Sequence, residues 1–95
     1  MGLAGDNQRG DTMSKRETYY IEVTDTFGGE CNYCWIRRYA VKASSERGAM
    51  RVVGKHEGYN MRNEGYNWTF VDACIAAYVV DEVDAADVVR YVKLN

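Results

Sequence analysis

The sequence predicts a small single α+β domain: an antiparallel sheet of three to four strands with one helix packed on one face, in the order ββαββ. Three observations predict it. The run from Thr18 to Lys42 alternates apolar and polar residues on both sides of a Gly28-Gly29 pair, a capped amphipathic segment follows, and a second alternating run occupies Trp68 to Val80.

The first run reads as a long hairpin. With a two-residue turn at Gly28 and Gly29, Phe27 opposes Glu30, and the two faces follow by strict alternation. Tyr19, Ile21 and Val23 then share a core face with Arg38, Ile36 and Cys34. Thr18, Tyr20, Glu22 and Thr24 oppose Tyr39, Arg37, Trp35 and Tyr33 on the other face. A ribbon with rings on both sides either packs a layer on each side or presents one side to a partner.

The helix enters at Ala43-Ser44-Ser45-Glu46, where Ser is the N-cap and an acid occupies the first turn. Ala49, Val52, Val53 and His56 recur as one apolar stripe, and Gly58 stands where a left-handed residue stops a helix, so the element runs from about Ser45 to Glu57. Arg47, Arg51 and Lys55 stack on a neighbouring strip at four-residue spacing, which ordinarily marks a solvated face.

Glu57-Gly58-Tyr59-Asn60 is repeated as Glu64-Gly65-Tyr66-Asn67, and Gly with Asn marks a loop of about nine residues. In the second alternating run, Val71, Ala73, Ile75, Ala77 and Val79 line one side and Trp68, Phe70, Asp72, Cys74, Ala76 and Tyr78 the other. The small Ala side chains suit a helix lying close across the sheet. Asp81 to Asp87 is an acidic connection. Val88 to Leu94 fits a helix capped near Asp84 or, with its β-branched residues, a final strand; the strand is the preferred expectation.

Ninety-five residues, 46% hydrophobic and 27% charged, suit one soluble domain. A chain of this size buries only about 60% of its unfolded surface. Eight Tyr and two Trp against two Phe favour half-wet surfaces, because Tyr and Trp carry a polar tip on an apolar body. The net charge of -2 hides a division. Arg37, Arg38, Lys42, Arg47, Arg51 and Lys55 make the middle basic, whereas Asp81, Glu82, Asp84 and Asp87 make the later part acidic. Residues 1–16 read as a disordered tail before a domain at 17–95. No run nears the roughly twenty apolar residues of a membrane span, and the amino terminus lacks the order of a secretory signal, so the expected location is the cytoplasm. Three Cys fit reduced thiols better than a disulfide framework.

Chemistry is sparse. Cys31, Cys34, His56 and Cys74 are the residue types of a structural zinc site, yet residues three apart on an extended strand point to opposite faces, with Cys34 on the core side and Cys31 near the hairpin mouth. Convergence of the two thiols requires a bulge. His56 is the single histidine and lies on the apolar stripe, no Ser or Cys has a recognisable nucleophile setting, and Gly28-Gly29 is accounted for by the turn. The expectation is a protein with no catalytic activity and no cofactor.

Two binding readings remain. In the first, Tyr20, Tyr33, Trp35, Arg37, Tyr39, Trp68, Phe70 and Tyr78 form one open face that grips another protein, since aromatic and Arg side chains dominate interface energetics and a sheet edge adds main-chain pairing. In the second, the same rings stack on unpaired bases of a nucleic acid while Arg37, Arg38, Arg47 and Arg51 hold phosphates, a use that a pI near 5.3 does not favour. Against both stands a simpler assignment, in which the rings form a second small core beneath the amino-terminal arm or a homodimer mate.

The segment from Glu22 to Arg38, EVTDTFGGECNYCWIRR, resembles a stretch shared by small proteins of phage and prophage genomes, with an EV-D-T/F-GGE-NY-W-RR pattern. The resemblance covers about a fifth of the chain. It implies an accessory protein, of the kind that includes anti-CRISPR proteins and other host-directed inhibitors, which work by occupying a surface of a host complex in the bacterial cytoplasm. It carries over no catalytic residue.

Overall fold

The structure is a computed structural model, and it describes residues 16–65 and 67–95. The expected tail therefore lies almost wholly outside the described residues. Over the described residues the chain is an α+β domain with a six-stranded mixed sheet and two helices. The strands are β1 (Glu17–Phe27), β2 (Glu30–Ala43), β3 (Met61–Asn63), β4 (Trp68–Phe70), β5 (Ile75–Val80) and β6 (Val92–Lys93); α1 (Glu46–Glu57) follows β2 and α2 (Ala85–Val88) precedes β6. Their order across the sheet is β3-β4-β5-β1-β2-β6, antiparallel throughout except for the β2–β6 pair.

The hairpin turn forms as local chemistry requires. Phe27 pairs with Glu30, and Gly28 and Gly29 both take positive φ, 63° and 85°, the type I′ geometry that matches the twist of the strands. Register then departs from simple alternation. Thr26 pairs with Cys31 and Thr24 with Ile36, so β2 runs through three more residues than β1 over this short interval. An odd offset reverses parity. Beyond it Ile21 faces Tyr39, Tyr19 faces Val41 and Val23 faces Arg37, so Tyr39, Arg37 and Trp35 join the helix side of the sheet, and Ile36 and Arg38 move to the opposite side.

Helix α1 begins and ends where its caps dictate. The Ser45 hydroxyl accepts from the Gly48 N–H at 3.0 Å, and Gly58, at φ 90°, returns its own N–H to the Gly54 carbonyl at 2.8 Å. Its buried stripe is Ala49, Met50, Val53 and Gly54, one step round from the expected one, which leaves His56 exposed with its ring edge on Tyr39. These residues close over Ile21, Val23, Tyr39, Val41, Trp68, Phe70 and Ala77 to form the hydrophobic core.

Trp68 to Val80 is two strands rather than one. Asp72 takes φ 64°, a conformation that Asp tolerates better than most residues, and the Ala73 N–H bonds the Phe70 carbonyl, so the chain turns at 71–74 and returns alongside itself. Trp68 consequently pairs with Ala77 on the helix side. The expected loop after Gly58 contains β3, and the carboxyl-terminal stretch divides between α2 and the two-residue β6. Among the described residues no helix is long and apolar enough to cross a membrane.

Candidate protein-binding surface

The parity reversal and the turn at 71–74 scatter the eight predicted contact residues. Tyr39, Trp68 and Phe70 are buried in the core, which corrects the expectation that they share an open face with Tyr78. Trp35 packs partly against that core. Arg37 lies over the Trp35 ring at 4.1 Å and forms a two-pronged pair with Glu57 of α1, at 2.8 and 2.6 Å. Tyr39 donates its hydroxyl to the same carboxylate. Burial pushes the Glu57 carboxyl up, but hydrogen bonds from Arg37 and Tyr39 and the Arg37 charge outweigh it, leaving that carboxyl below its ordinary value. Burial, reinforced by Glu57, pushes Tyr39 up to about 12.

On the opposite side of the sheet, Tyr78 and Tyr91 both donate to Glu22, at 2.7 and 3.1 Å, and Arg38 completes the set at 3.3 Å. Tyr20 stands edge-on to Tyr91 at 5.2 Å. Burial first, and the Glu22 carboxylate second, raise both phenols, Tyr91 to about 12 and Tyr78 further. Tyr78 is thus a half-buried member of a satisfied polar cluster, and Tyr20 packs half-buried against its edge. The carboxyl-terminal segment, through Tyr91, supplies part of the cover that the sequence left unassigned on this side.

What remains outward is the far end of the hairpin. Phe27 is 81% exposed and Tyr33 55%. This end is held by a side chain in place of the missing ladder. Asp25 accepts from the Asn32 amide at 2.8 Å and from the Cys34 N–H at 2.8 Å, while the buried Thr24 hydroxyl accepts from the Tyr33 N–H at 3.0 Å. The Asn32 bond, and then that of the Cys34 amide, hold the Asp25 carboxyl down at about 2. Tyr33 is consequently fixed at φ 60°, a left-handed conformation uncommon for a bulky residue and concentrated at functional sites. Beside it a hollow of about 440 Å³ opens between the hairpin end and β5, lined by Gly29, Cys31, Tyr33, Asn67 and Tyr78.

An adjacent strand edge adds contact options. β6 pairs with β2 only at Tyr39 and Ala40, so among the described residues the outer edge of β2 from Trp35 to Arg38 has no strand partner. Phe27 was missed by sequence reasoning, which sought rings on a face; its signal was its place as the last residue before the Gly-Gly turn.

The cysteines take no common position. Cys34 lies exposed in the bulge with its sulfur near Asn32, not on the core face as expected from simple alternation. Cys31 is half-buried beside Asn67, and Cys74 is exposed at the 71–74 turn. Among the described residues no group of three or more His, Cys, Asp or Glu converges as a metal centre would require. In comparisons with known proteins the chain matches no family model, no curated protein and no solved structure, so the surface is read from its own geometry.

Proposed function

We propose that this chain is a non-enzymatic protein-binding module, a phage or prophage accessory protein that acts by occupying a surface of a host protein complex. The far end of its β1–β2 hairpin is the contact surface. The observation that carries this reading is Tyr33: an exposed ring held in a left-handed backbone by Asp25 and Thr24, next to a more exposed Phe27. A large apolar ring in water at a fixed position contributes little to folding. On association it adds apolar burial without the ordering cost of a flexible loop. The edge of β2 from Trp35 to Arg38, which has no strand partner among the described residues, supplies main-chain donors and acceptors for the same partner. Resemblance of the Glu22 to Arg38 segment to small phage proteins supports a host protein as the partner.

Stacking of nucleic-acid bases on the sheet has less support. It requires open rings, and Tyr39, Trp68 and Phe70 lie in the core.

The test is a comparative capture from bacterial lysate with wild-type protein and a Phe27→Ala/Tyr33→Ala variant. The variant keeps the circular dichroism spectrum and the denaturant midpoint of the parent and loses its specifically retained host protein. Retention of the same protein by the variant contradicts the assignment. Loss of folding in the variant contradicts the claim that these rings stand outside the core.

A further inference from the structure

A second surface lies where α1 approaches β3. Helix and strand approach closely because residue 54 is glycine; a Cβ there would meet the Met61 Cγ at 2.6 Å and the Tyr59 carbonyl at 2.9 Å. The approach leaves a groove of about 680 Å³, within the size range of ligand clefts. Arg47, Arg51 and Lys55 line it from the helix, together with Tyr59, Met61 and Trp68.

The cations of this groove differ in charge pairing from four other arginines of the domain. Arg37, Arg38, Arg62 and Arg90 each have a carboxylate within 4.0 Å. Among the described residues Arg47, Arg51 and Lys55 have none. Glu46, next to Arg47 in sequence, instead accepts from the Trp68 indole at 2.9 Å, Glu57, two residues after Lys55, is held by Arg37 and Tyr39, and Arg47 lies over the Trp68 ring at 5.5 Å. Three exposed cations beside the apolar groups of Tyr59 and Met61 make a site for an anion that also has apolar surface to cover.

We infer that this groove binds an extended acidic peptide segment. Four residues of helix separate successive cations by about 6 Å. Alternate side chains on one face of an extended peptide are about 6.4 to 6.8 Å apart, so carboxylates at every second position meet Arg47, Arg51 and Lys55 in turn. Met61 and Tyr59 take the intervening apolar groups, and the partial exclusion of water strengthens the ion pairs. A nucleic acid fits less well. Base stacking needs open rings, and Trp68 is only 5% exposed and already capped by Arg47, which leaves Tyr59 as the ring available in the groove among the described residues.

Fluorescence anisotropy at low salt with a labelled eight-residue peptide of alternating Glu and Val tests the assignment. The wild-type protein binds it at least tenfold tighter than the matching Gln-Val peptide, and added salt weakens the complex. An Arg51→Glu/Lys55→Glu variant, altered only at exposed positions, loses at least tenfold in affinity, and Arg51→Lys restores most of it. The Phe27→Ala/Tyr33→Ala variant binds the peptide as the parent does, which separates this site from the hairpin end. Equal affinity for the two peptides, undiminished binding by the Glu variant, or tighter binding of labelled oligo(dT) than of the Glu-Val peptide overturns the inference.

Discussion

The two ends of the β1–β2 hairpin are made of the same kinds of residue and are held in place by different physics. At the inner end, Ile21, Val23, Tyr39 and Val41 lie between a helix on one side and the Glu22 cluster on the other, and β5 pairs alongside β1. At the outer end no layer covers Phe27 and Tyr33 among the described residues, and one carboxylate, Asp25, replaces the ladder bonds that the bulge removes. Burial fixes the first region. Hydrogen bonding fixes the second, which is how a small domain can keep Phe27 and Tyr33 in water without making its stability depend on them.

The contrast can be broken most severely at the inner end. Phe70→Ala removes a fully buried ring from the core and costs about 3–5 kcal/mol, a large share of the stability of a domain this size; urea denaturation measures it. Alkali gives the next effect. Tyr39 and Tyr91 have folded pKa values raised to about 12, with Tyr78 raised further, so the stability that their protonated hydroxyls contribute is complete below their unfolded pKa near 10. It is lost as pH rises from there through about 12, and tyrosinate absorbance should therefore appear late and together with unfolding.

Acid probes the outer end with the opposite sign. Asp25 has a folded pKa lowered to about 2, so its contribution is present above its unfolded pKa near 4 and disappears as pH falls from about 4 toward 2. Hydrogen exchange at the Cys34 amide accelerates over that range, and Asp25→Asn removes the dependence while leaving the core amides protected. The smallest effect on folding comes from Phe27→Ala, expected to shift stability by no more than about 0.5 kcal/mol in the same urea assay, although it abolishes capture of the partner.

Legibility in the sequence followed the range of the interactions involved. The Gly28-Gly29 turn, the Ser45 cap and the Gly58 stop are local, and each forms where the residues predict. The three-residue offset depends on Asp25 reaching across to Asn32 and Cys34, a contact that alternation along one strand does not encode. It reversed the face of Trp35, Arg37 and Tyr39 together. The break at 71–74 was hidden for a similar reason: Val-Asp-Ala-Cys contains neither Gly nor Pro, and the left-handed turn residue is Asp72. Of the eight predicted contact residues, Tyr33 lies in the exposed end as a consequence of that bulge. Trp35 and Arg37 border it from the helix side.

Backbone ¹⁵N relaxation across the hairpin tests the central claim most directly, because a surface prepared for binding is ordered before its partner arrives. Order parameters near 0.85 are expected at Phe27, Glu30 and Asn32 to Trp35 in the free protein, with a marked fall in Asp25→Ala. Values below about 0.6 at these residues in the parent protein would show a loose end rather than a presented surface, and would contradict the account.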